Sequence, residues 1–289
     1  MDKSEFSSKR RALVKNIPIL AAIFGLQACV QFQVKEKDLL LQDAPPESAK
    51  LVNGMQVTRT YFEHSGRQIA VSIGTRPNSE YIIIYCGGNA FRVDQDGGPI
   101  LESLSPYADV VMFDYSGIGR SSGRSSVANL KEDGHALYRF LSEQSYLKNK
   151  KIIIHGFSMG GFVAAEIASR HLLHGLILES TAADVKGWVD SLVPLLARPF
   201  VRINVDQSLL GLDNVEVLRS VNVPILLLAA EKDEQTRISV LENLFTSLSL
   251  AHPRTRFERF DKVGHGEVLQ HPHFASVLNS YLQSLAIGK

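Results

Sequence analysis

The chain has 289 residues, 45% of them hydrophobic and 21% charged, and its 31 basic and 30 acidic residues leave a formal net charge of +1. That apolar share supplies a core and excludes wholesale disorder, and no apolar run reaches the ~20 residues of a spanning helix, which excludes a multi-pass membrane protein. The balanced charge excludes a basic nucleic-acid binder, and two cysteines, Cys29 and Cys86, cannot build a disulfide framework or a four-thiolate zinc site.

The first segment is cationic. Lys3, Lys9, Arg10, Arg11 and Lys15 stand against Asp2 and Glu5, then residues 17–26 carry no charge, and Gln27, Ala28 and Cys29 follow. A basic stretch, a short apolar stretch and a small residue read as an export signal. The ending Leu26-Gln27-Ala28-Cys29 resembles a bacterial lipobox, with Gln27 in place of the usual small or β-branched residue. That resemblance implies a lipoprotein-type signal over 1–28 and a lipid anchor on Cys29, followed by a tether to residue 54. Val30 rather than Asp after the cysteine resembles the outer-membrane sorting pattern of Gram-negative lipoproteins. The expected location is the bacterial cell envelope, at the outer membrane facing the periplasm. The other readings are an uncleaved anchor, or a chance apolar stretch with a buried cysteine.

Residues 56–62 and 67–73 alternate in polarity across His64-Ser65-Gly66, as an antiparallel hairpin does. Continuous apolar runs then recur at 81–85, 110–113, 152–154, 176–178 and 225–228. Such runs suit strands covered on both faces in a parallel sheet. Helical periodicity predicts helices over 127–146, 160–173, 237–250 and 268–285. The alternation defines an α/β fold with a mostly parallel sheet. It lapses between 181 and 222, which reads either as a small lid over the sheet edge or as an extra packing helix pair.

The sharpest motif is Gly156-Phe157-Ser158-Met159-Gly160, a G-x-S-x-G between an apolar strand and an Ala/Gly-rich helix. The turn is so tight that residues flanking the serine at two positions' distance crowd each other, so both are glycine. The helix start aims free N–H groups and a positive dipole end at the serine. The candidate base is His265, set between Gly264 and Gly266. The candidate acid is Asp233 at the end of an apolar strand, with Glu231 and Glu234 as competitors. Their order, Ser then Asp then His, is that of hydrolases. His155, His171, His174, His271 and His273 read as packing or surface residues. Cys86 reads as inert packing at a strand end. No metal-ligand spacing is present.

With these motifs the chain resembles the α/β-hydrolase superfamily over residues 55–286, with a lid at about 181–222 of a domain ending at 289. Cys86-Gly87-Gly88-Asn89-Ala90 is similar to the His-Gly-Asn-Ala loop of one hydrolase branch, with Gly87 in place of the histidine. Asp114-Tyr115-Ser116-Gly117-Ile118-Gly119-Arg120-Ser121 is similar to a loop of the same branch, which includes protein depalmitoylases and monoacylglycerol-lipase-like proteins. The resemblance implies a Ser158–His265–Asp233 triad and an oxyanion hole from the backbone N–H groups of Asn89 and Met159. It implies no cofactor and a small-molecule or acylated ester or thioester substrate. Asp114 is expected to brace its loop. The alternatives are a peptidase of the aminopeptidase-like type and a non-catalytic envelope lipoprotein.

Overall fold

The computed structural model describes residues 30–40, 56–89 and 91–287. The expected signal at 1–28, Cys29 and the later part of the tether lie outside the described residues. The earlier part of the expected tether is built structure: β1 (Val30–Val34) and the one-turn α1 (Glu36–Leu39). Leu40 is buried in the main core, and the Glu36 carboxylate accepts the Val127 N–H at a helix start. The alternating Val-Gln-Phe-Gln-Val of β1 is a strand pattern whose partner lies some 170 residues away in sequence.

The body begins with the expected hairpin, β2 (Gln56–His64) and β3 (Arg67–Thr75), paired antiparallel. Then come β4 (Tyr81–Cys86), α2 (Val93–Leu104), β5 (Asp109–Phe113), α3 (Val127–Glu143), β6 (Lys151–Phe157), α4 (Gly160–Arg170) and β7 (Gly175–Glu179). The 181–222 region, expected as a lid or a packing helix pair, holds α5 (Val185–Ser191), a 3₁₀ turn (Leu195–Phe200), β8 (Val201–Val205), α6 (Gln207–Leu210) and α7 (Asn214–Leu218). The chain closes with β9 (Ile225–Ala230), α8 (Ile238–Ser249), β10 (Thr255–Phe260) and α9 (Phe274–Ile287).

Eight strands form one sheet in the order β10-β9-β7-β6-β4-β5-β3-β2. All neighbours pair parallel except β2 with β3 and β3 with β5. The β-branched runs sort their side chains by parity, as a pleated strand must. Ile82, Ile84, Ile152 and Ile154 enter the core under α3, α4 and α8, while Ile83, Val110, Ile153 and Ile177 enter the core under α2 and α9. A second, two-stranded sheet joins β1 to β8 in parallel.

One expected helix needs correction and one helix is new. The single helix expected over 268–285 is a 3₁₀ turn (Val268–Gln270) and then α9, because Pro272 between them has no N–H to continue the first turn. The α2 helix was not expected, because its Asp-Gly-Gly-Pro core has the composition of a turn.

Candidate active site

β6 and α4 meet at Ser158, whose φ of +53° is rare for a non-glycine residue. Its N–H donates to the Glu179 carbonyl at 2.8 Å, and its carbonyl accepts the Gly161 N–H at 3.0 Å. Such a bend holds only where the surroundings over-determine it. The two motif glycines supply the room. A Cβ at Gly156 would stand 2.6 Å from both the Ala164 Cβ and the Gly160 carbonyl oxygen, and one at Gly160 would collide with the Cys86 and Gly87 carbonyls. The strand before the serine, the helix after it and the end of β4 are therefore in direct contact.

That contact sets the loop carrying Asn89 against the helix start carrying Met159. Gly88, beside Asn89, lies so near the nucleophile that an added Cβ would meet the Ser158 Cβ at 3.2 Å. The Gly87 departure from the branch pattern has a steric reason: the Phe91 ring fills the space of a side chain there. Tyr115 supplies support that the sequence reading missed, its buried hydroxyl donating to the Gly87 carbonyl at 3.1 Å. The signal was its place beside Asp114. Asp114 braces the neighbouring loops, its carboxylate accepting the Val93 N–H at 2.8 Å and the Arg120 N–H at 2.9 Å. Burial raises its pKa against those bonds.

The loops after β9 and β10 bring the acid and base candidates together. Lys232 N–H donates to the Val263 carbonyl at 2.9 Å, lashing one loop to the other. His265 Nδ1 lies 2.7 Å from Asp233 Oδ2. The other oxygen, Oδ1, accepts the Gln235 and Thr236 N–H groups at 2.9 and 2.7 Å, fixing the carboxylate. The competitors stand apart from this pair. Glu231 pairs with Arg259 at 2.5 Å and accepts the Lys262 N–H at 2.9 Å, bonds that lower its pKa. Glu234 is exposed. The His265 ring packs on Phe157, the residue before the nucleophile, with centroids 4.7 Å apart.

The remaining histidines lie elsewhere. His155 is buried in the sheet, 2.9 Å from Glu179 Oε2, a pairing the sequence reading missed; a histidine and a glutamate inside adjacent apolar runs were its signal. His174 accepts the Ile152 N–H at 3.0 Å. His171 meets His135 at 3.2 Å, beside a surface cavity of about 240 Å³ that also takes in His64, Arg139 and Arg170. That hollow contains none of the candidate catalytic residues. His271 and His273 lie at the edge of the Phe260 ring. Cys86 is a buried thiol whose pKa is pushed far up by burial. Among the described residues no cluster has the makeup of a metal site.

The chain is similar to known proteins in three ways. A model of the family described as serine aminopeptidase, S33 matches residues 106–214. Protein bem46 of Schizosaccharomyces pombe is 27% identical over 180 residues, 60% of this chain and 57% of that protein. The α/β-hydrolase domain-containing protein aho-3 of Caenorhabditis elegans is 30% identical over 138 residues, 47% of this chain and 41% of that one. The aligned segments thus span about half the length of these relatives. Among solved structures, an esterase of Pyrococcus furiosus, Pf2001, superposes with a TM-score of 0.62 at 16% identity, covering 83% of this chain and 96% of that chain. Likeness at that identity speaks to architecture. The chain has the α/β-hydrolase fold.

Proposed function

We propose that the chain is a serine hydrolase that cleaves carboxylic ester or thioester bonds through an acyl-enzyme. The observation that carries this reading is the His265–Asp233 bond of 2.7 Å, held beside the strained Ser158 elbow. With Nδ1–H donating to Asp233, the Nε2 of His265 is left to accept the Ser158 proton. Ser158 Oγ attacks the acyl carbon, and the carbonyl oxygen takes up negative charge facing the Asn89 and Met159 N–H groups. Fixed donors there act where charge develops and need no reorganisation. The imidazolium then protonates the leaving oxygen or sulfur as its bond to carbon breaks. Water attacks the acyl-enzyme, giving its proton to His265. Collapse releases the acid and returns the proton to Ser158.

We propose a membrane location as well. By the lipobox resemblance, Cys29 carries lipid and holds the domain at the envelope, on the outer membrane facing the periplasm. Replacing Cys29 by serine is expected to abolish labelling by a fatty-acid analogue; unchanged labelling would refute the anchor.

A fluorophosphonate probe tests the chemistry. Labelling of the wild type and its loss in Ser158→Ala are expected, and a folded wild type that stays unlabelled refutes the reading in favour of a non-catalytic lipoprotein. The family model described as serine aminopeptidase favours a second reading, in which the same residues cut peptides. Turnover of p-nitrophenyl esters of graded chain length against aminoacyl amides separates the two.

A further inference from the structure

We propose that the outer face of the lid, centred on Leu196 and Phe200, docks on an anionic phospholipid bilayer, and that β1 fixes this face beside the membrane-attachment point of the chain. The inference rests on the membrane location proposed above and is independent of the hydrolytic chemistry.

The lid around the 3₁₀ turn is two-sided. Val193, Ala197 and Val201 are buried together, with Phe32 of β1 and Ile203 of β8 packed against them. Leu196 and Phe200, four residues apart, are left 89% and 45% exposed. Residues 191–205 contain Arg198 and Arg202, both exposed, between Asp190, which is paired with Lys186, and Asp206, whose carboxylate caps α6. Large apolar side chains beside arginines suit the headgroup level of a bilayer, where the apolar groups enter the acyl boundary and guanidinium groups meet phosphate.

A single exposed leucine is ordinary on a protein surface. The β1–β8 register makes this one informative. Val30 pairs with Val201, the residue immediately after Phe200. The uncharged residues 17–26 end four positions before Val30, so even a fully extended link spans only about 15 Å. Cys29 is adjacent to Val30 in sequence. Whether the apolar segment remains or a lipid on Cys29 replaces it, the attachment point is within that reach of Val30, whose partner is Val201. Among the described residues, the two other most exposed leucines, Leu172 at 88% and Leu250 at 96%, lie just past the C-terminal ends of α4 and α8. Those helices run back from the elbow edge, and the segments after them bond the first residues of β6 and β9, at the opposite edge of the sheet.

The experiment places the photo-crosslinker p-benzoylphenylalanine at position 196, 200, 172 or 250 of the full chain. The protein is bound to vesicles of phosphatidylethanolamine and phosphatidylglycerol, and lipid adducts are read by mass spectrometry. Adduct yields at 196 and 200 about tenfold above those at 172 and 250 are expected. Leu196→Asp with Phe200→Asp, both at exposed positions and checked for fold by circular dichroism, is expected to weaken vesicle binding by about tenfold. Equal yields at all four positions, or adducts mainly at 172 and 250, overturn the orientation. Crosslinks from 196 to a second copy of the chain overturn it in favour of self-association. A chain that does not bind vesicles overturns both the orientation and the membrane location. Fluorophosphonate labelling reports on the hydrolase reading separately.

Discussion

Two histidine–carboxylate pairs flank the Ser158 elbow, and their environments differ. His265 and Asp233 meet at 2.7 Å on loops beyond the strand ends, with side-chain exposures of 13% and 1%. His155 and Glu179 meet at 2.9 Å inside the sheet, both almost wholly buried, with the edge of Tyr85 against the imidazole. The outer pair has a carboxylate fixed by backbone donors and a ring on the rim beside Ser158. The inner pair has unpartnered atoms, His155 Nδ1 and Glu179 Oε1, sealed inside the sheet. Pairing alone therefore does not mark a catalytic histidine; the surroundings decide whether the ring can relay a proton or only holds two strands together.

The largest effect should come at the nucleophile. Ser158→Ala is expected to lower ester turnover by about 10⁵-fold or more, measured as kcat with p-nitrophenyl esters. Asp233→Asn follows, with kcat down about 10³–10⁴-fold and little change in thermal stability, because it upsets the tautomer of His265. The inner pair should respond in the opposite sense. Glu179→Ala leaves His155 unpaired in a dry site and is expected to cost about 3 kcal/mol, a fall in Tm of about 6–10 °C, with kcat within about tenfold of wild type. A Glu179 variant that loses turnover as Asp233→Asn does would erase the distinction between the two pairs.

A third cluster gives the smallest effects. Glu166 on α4 is held down to about 2 by the facing His135 imidazole at 3.9 Å and then by Lys131 at 2.5 Å, against the opposing effect of burial. A carboxylate lowered in the fold contributes stability above its ordinary value of about 4.5 and loses it as pH falls toward 2. Glu166→Gln is expected to cost about 2 kcal/mol at pH 7 and nothing near pH 2, read from urea unfolding. His171 is pushed down to about 4, by burial first and by the nearby His135 next. The neutral ring favours the fold above about 6.5, and that advantage is lost as pH falls toward 4. His171→Gln should therefore flatten the stability profile between those values by about 1 kcal/mol.

What was legible in the sequence follows from how local its cause is. The elbow is legible because its sterics act within five residues: Gly156 and Gly160 stand where a side chain would strike the helix or the end of β4. The central strands are legible because isoleucine and valine runs fit a sheet covered on both faces. The β1–β8 pair was missed because its partners are distant in sequence and each strand has only five residues. The α2 helix was hidden by Gly97, Gly98 and Pro99, which locally argue for a turn. The inner His155–Glu179 pair needed the register that sets β6 beside β7, with His155 opposite Ile177. Chemistry confined to one turn can be read from residue order, whereas a strap or a buried pair depends on topology.

The β1–β8 pairing also bears on how the domain is handled in isolation. A shortened chain beginning at Gln56 would remove β1, Leu40 and the Glu36 contact to α3, and leave β8 without its strand partner. An unpaired strand bearing Val201 and Ile203 beside an exposed Phe200 is a template for intermolecular strand addition. Soluble preparations of the domain should therefore retain residues 30–40, since truncation at 56 exposes a sticky edge.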